Sequence, residues 1–140
     1  MKVKLLVALL LSAIVGTASA AEPNTEAAYK QNYMAQVLPS LQQGFLQKYG
    51  DSMSQSEIDA QAKEQAARIT NCQYDIMNRY PDKIRDLGIS NIVNGMGVRE
   101  SNAKISNELK AAISSGELDM QEFRSMMENN MAYMQSCMRG

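Results

Sequence analysis

Histidine and tryptophan are missing from the 140 residues, and cysteine occurs only twice and proline three times. Without an imidazole the chain has no base or ligand of that kind, which excludes the Ser-His-Asp and Cys-His catalytic arrangements and most zinc sites. Its 14 Lys and Arg against 15 Asp and Glu argue against a partner gripped through phosphates, so nucleic acid is not expected. There is no D-x-D-x-D-G loop for calcium. Beyond the first twenty residues no apolar run approaches the twenty or so needed to cross a bilayer.

What is present begins with a targeting signal. Lys2 and Lys4 precede an uncharged apolar run from Leu5 to Val15, followed by Ala18-Ser19-Ala20. That order of charge, short apolar core and small residues reads as a secretory signal peptide over 1–20, cleaved to leave a single helical domain over 21–140. Removal takes away two lysines and leaves an excess of acidic residues. No cysteine follows the apolar run, so no lipid anchor is expected either. The product is expected in the periplasm or secreted; its oligomeric state is not legible.

Apolar residues recur at helical spacing through the rest of the chain, and no alternating run suggests a strand. The expected fold is all-α, a compact bundle of about four to five helices. Tyr29, Tyr33, Val37, Leu41, Phe45 and Tyr49 keep the rhythm of a first helix that Gly50 ends, with Pro39 expected to break or kink it near Leu38. Ser54 with Glu57 forms a capping-box pattern. It opens the clearest helix, with Ile58, Ala62, Ala66, Ile69, Cys72, Ile76, Met77 and Tyr80 as its buried stripe and Pro81 as its stop. One or two short helices are expected between Pro81 and Gly97. Another should run from about Val98 to Ser115 with Ala103, Leu109, Ala112 and Ile113 inward, ended by Gly116. Asp119 with Glu122 repeats the capping pattern and starts a last helix to about Met138.

Cys72 and Cys137 are the only two cysteines, and an exported domain matures in an oxidising compartment. They are therefore expected to form one intramolecular disulfide. Each falls on the apolar face of its helix, where the two helices meet.

The last helix carries the most unusual composition. Met127, Met131, Met134 and Met138 share one face by their spacing. Methionine is an adaptable core filler, and the same stripe exposed would be a surface that accepts varied apolar partners. Thioethers are also soft ligands, so the same four residues form an alternative Cu(I) or Ag(I) site. Tyr74 lies off the Ile69–Cys72–Ile76 stripe and is a candidate for a partner surface. Ser101 and Lys104 match S-x-x-K, but the enzymes using that pattern need a larger α/β scaffold, so an ordinary helix turn is the better reading. Glu117, Asp119 and Glu122 are explained by the helix start beside them.

Exported two-cysteine helical proteins include inhibitors, immunity proteins, stress chaperones and metal carriers. With no catalytic constellation in view, the expectation is a non-enzymatic binding protein acting through contact with another protein and needing no cofactor. The alternative is the methionine-based metal binder.

Overall fold

The computed structural model describes residues 23–140, so the expected signal peptide over 1–20 lies outside the described residues. Five helices follow one another: α1 (Pro23–Tyr49), α2 (Gln55–Met77), α3 (Asp82–Val93), α4 (Val98–Ser115) and α5 (Met120–Arg139). No strand occurs among the described residues.

Local chemistry sets most of the boundaries. Glu57 N donates to Ser54 Oγ while Ser54 N donates to the Glu57 carboxylate at 2.8 Å, so both halves of the capping box form at the start of α2. The Ser54 hydroxyl also donates to the Glu57 carboxylate at 2.7 Å, and this bond, together with that from Ser54 N, holds the Glu57 carboxyl below its ordinary pKa. Gly116 closes α4 with φ +77°, the left-handed conformation that side chains avoid. At α5 only half of the expected box forms: Asp119 accepts from Gln121 N and Glu122 N, and Glu122 returns no bond.

Pro39 does not break α1, which runs through it as a single helix. A proline costs the bond to the carbonyl four residues back, here Ala35. Both Ala35 and Pro39 face solvent, so water can take up the freed carbonyl. The α2 helix ends at Met77, earlier than Pro81 suggests; Asn78, Arg79 and Tyr80 form the turn, and Pro81 becomes the residue from which α3 starts. In α4 the inward row is Ser101, Ile105 and Leu109, while Ala103 is exposed. Ser101 occupies the slot facing α3 and accepts a hydrogen bond from Asn91 Nδ2 at 3.3 Å.

The first two helices lie against each other as the longest pair. Ile58, Ala62 and Ala66 are buried at successive turns of α2, and the two alanines let α1 approach closely. Tyr29 and Tyr33 of α1 and Ile92 of α3 form one core cluster, with Val37, Ile69 and Tyr74 packed on it. The second cluster joins Met77, Ile84, Ile105, Leu109 and Leu118. Gly88 makes that junction possible, because a Cβ there would meet Met77 Sδ at 2.3 Å and Ile105 Cδ1 at 3.0 Å.

Cys72 and Cys137 are bonded, with Cα atoms 5.9 Å apart, and tie the end of α5 to the C-terminal third of α2 across 65 residues of sequence. The chain-entropy estimate for a loop of that length is about 4 kcal/mol, comparable with the whole stability of many small domains.

Candidate functional site: an apolar groove between α4 and α5

Helices α4 and α5 are anchored to different parts of the molecule. On α1, Asn32 Nδ2 donates to the carbonyls of Ile92 and Val93, both at 3.0 Å, closing the end of α3. One turn further along, Gln36 Nε2 donates to Met96 O at 3.0 Å and its Oε1 accepts from Val98 N at 2.7 Å, which fixes the start of α4. Helix α5 is held instead on α2. Besides the disulfide, Tyr133 donates to Asp75 Oδ2 at 2.6 Å, the Arg79 guanidinium sits 3.7 Å from the centre of the Tyr133 ring, and Arg68 donates to Met138 O at 3.2 Å. The Asp75 carboxylate beside it pushes the Tyr133 hydroxyl above its ordinary pKa.

Between these separately anchored walls, with α2 as floor, runs a groove of about 670 Å³, within the usual range of binding sites. Ile76, Met77 and Tyr80 line its floor, Ile105, Leu109 and Ile113 one wall, and Met120, Phe123, Met127, Met131 and Met134 the other. Among the described residues four large apolar side chains are markedly exposed: Leu46, Met120, Met127 and Met131 at 63%. Three of them are in this groove, so exposed apolar surface is gathered at one place on the molecule.

The polar groups in the groove are few. Tyr80 donates its hydroxyl to Met127 Sδ at 3.7 Å. Burial raises the Tyr80 pKa, and the nearby Asn130 amide pulls it partly back. Asn130 is 5% exposed, and its Nδ2 has no partner in full hydrogen-bond geometry. An unpaired buried amide costs free energy wherever it occurs, and this one stands midway along the methionine wall. Among the described residues Lys110 is the only charged one in the lining.

The expected site residues are thus partly gathered and partly dispersed. Met127, Met131 and Met134 meet in the groove, whereas Met138 lines a separate depression beside Phe45 and Arg68. Tyr74 takes no part in it. Its ring packs 5.2 Å from that of Tyr29, with Lys30 Nζ 5.3 Å from its centre. Ser101 and Lys104 point apart, the first buried against Asn91 and the second exposed and paired with Glu100. The expected site did not include the α2 and α4 sides of the groove, nor Met120, Phe123 and Asn130 of α5. Asn130 had a signal: a lone polar residue three after Met127 and four before Met134, inside the apolar stripe.

No helix of the described residues is long and apolar enough to cross a membrane. Compared with known protein families, curated proteins and solved structures, the chain matches none.

Proposed function

We propose that this is an exported, periplasmic or secreted, small helical binding protein that acts by protein–protein contact, as an inhibitor or immunity-type protein or a stress chaperone does, without catalysis. The observation that carries the reading is the groove itself: three exposed methionines and a wall of Ile and Leu, open on one side, on a body tied by a disulfide. Methionine surfaces adapt to varied apolar partners because the unbranched side chain re-packs at little cost. The disulfide and the signal-like order of residues 1–20 support export.

A photo-crosslinking amino acid placed at Met131 tests this in living cells. Discrete polypeptide adducts in the envelope are expected from Met131, absent when the same residue replaces exposed Ser56 on α2 and lost when Met127→Asp is added. No adduct at Met131, or equal labelling from Ser56, rejects the reading.

The convergence of Met127, Met131 and Met134 also favours a second reading, a Cu(I) or Ag(I) site. It would use three thioethers rather than four, since Met138 lies elsewhere. Competitive Cu(I) titration decides it: stoichiometric binding weakened by Met131→Leu and Met134→Leu is expected, and binding that those variants leave unchanged rejects it.

A further inference from the structure

Charge around the groove points to the chemistry of its occupant. Among the described residues no carboxylate lines it, and the one charged residue of the lining is Lys110. Arg99 lies on the same row of α4 as the lining residues Asn102, Ser106 and Lys110, at i, i+3, i+7 and i+11. On α5, Arg124 occupies the row of Met120, Met127 and Met131. All three cations are exposed, and none takes part in an ion pair among the described residues.

Most acidic groups of the two walls are turned elsewhere. Glu100 pairs with Lys104, Glu108 with Lys83 on α3, and Glu122 lines a different depression. Glu117 lines another depression, Asp119 next to Met120 is engaged in capping α5, and Glu128 lies one turn from Arg124. A protein with more acidic than basic residues therefore presents its apolar groove between unpaired cations.

Backbone chemistry narrows the occupant further. The walls and floor are helices whose N–H and C=O groups are bonded internally, so the groove offers no ladder to an extended chain. An extended segment would bury unpaired amides against methionine and leucine, whereas a helix satisfies its own. The lining runs from Asn102 to Ile113 on α4 and from Met120 to Met134 on α5, about 17 Å and 21 Å, or three to four turns of a docked helix.

We propose that the groove receives an amphipathic helix of a partner polypeptide whose apolar stripe is flanked by acidic residues that meet Arg99, Lys110 and Arg124. The inference rests on the reading of the groove as a protein-docking site and adds the sign and secondary structure of what docks.

The test uses the disulfide-intact protein and two fluorescein-labelled helical peptides of about 15 residues. Both carry the same leucine stripe, flanked by Glu in one and by Lys in the other. In fluorescence anisotropy the Glu peptide should bind at least about tenfold more tightly at low salt, with the advantage shrinking as salt screens the rim. The triple variant R99E/K110E/R124E should invert the preference while its melting curve stays unchanged, and M127D/M131D should abolish binding of the Glu peptide. Equal binding of the two peptides, preference for the Lys peptide, or Glu-peptide binding that survives M127D/M131D overturns the proposal. So does binding of phosphatidylglycerol vesicles through the groove without binding of the Glu peptide. If crosslinks at Met131 still define a polypeptide while the peptides show no charge preference, the acidic-helix inference fails and protein docking stands. If crosslinks and peptide binding are both missing, the two fail together.

Discussion

The tyrosine cluster between α1, α2 and α3 and the methionine groove between α2, α4 and α5 are both places where three helices converge, yet one is closed and the other open. Tyr29 and Tyr33 stack with centroids 5.7 Å apart, Tyr74 tilts against Tyr29, and Ile92 packs into the same cluster. The length of α1 supplies the cover. Among the described residues nothing equivalent lies over Met120, Met127 and Met131, which are exposed. The difference teaches that the open side follows from helix arrangement more than from polarity, since the groove is lined mainly by apolar side chains that a further helix would bury.

The largest effect expected from breaking this comparison comes from the disulfide. Cys137→Ser should lower stability by about 4 kcal/mol by the loop estimate, with α5 cut first in limited proteolysis while the tyrosine cluster persists. Equal melting of oxidised and reduced protein would show that packing alone holds the wall. A cavity then separates the two regions. Ile92→Ala in the closed cluster should cost about 2–5 kcal/mol, whereas Met131→Ala should change stability by less than about 0.5 kcal/mol, as surface substitutions do. Urea unfolding of both variants measures the contrast, and similar losses would mean that Met131 is a packed residue.

Asn130 gives a smaller effect of opposite sign. Replacing it by Leu removes a buried amide that lacks a partner in full hydrogen-bond geometry and only approaches the Tyr80 hydroxyl, so stability should rise by about 1 kcal/mol, and the Tyr80 hydroxyl should titrate higher for want of that amide. A drop in melting temperature would show instead that the amide has a partner in solution. The last effect is a loss of stability that sets in only at alkaline pH. Burial raises the pKa of Tyr29, with Tyr33 and Tyr74 adding to it, and burial raises that of Tyr33 also. Both hydroxyls therefore stay neutral in the folded protein at pH values where the unfolded chain ionises. The contribution is fully present below the ordinary value of 10.0 and is lost as pH rises from there toward the folded values. Tyr29→Phe should flatten that decline in urea midpoints measured on either side of pH 10, and an unchanged slope would place the ring in water.

Features written in adjacent residues were legible without coordinates. The Ser54–Glu57 box, the Gly116 stop and the helical rhythm gave four of the five helices close to their observed bounds, and two cysteines on apolar faces gave their bond. What depended on the other side of a helix was not. The consequence of Pro39 turned on whether Ala35 faced water, and the inward row of α4 on where α3 lay, so that Ser101 and not Ala103 is buried. For the groove, the spacing of the methionines placed three on a shared wall but could not say that α4 would stand opposite, nor that Met138 would turn toward Phe45. Tyr74 failed to reach the groove for the same reason: leaving one stripe of α2 placed it on another, beneath Tyr29.

The hydrogen bonds from Asn32 and Gln36 reach across 60 to 62 residues of sequence to Ile92, Val93, Met96 and Val98, and together they act as the pivot of a jaw. One jaw, α5, is riveted to α2; the other, α4, is steered from α1. Gln36 fixes its first turn and Asn32 the end of α3, on which α4 packs, and neither side chain lines the groove. The width of the mouth thus rests on residues outside it, and substitution at Asn32 or Gln36 is expected to shift α4 and with it what fits, with no lining atom changed.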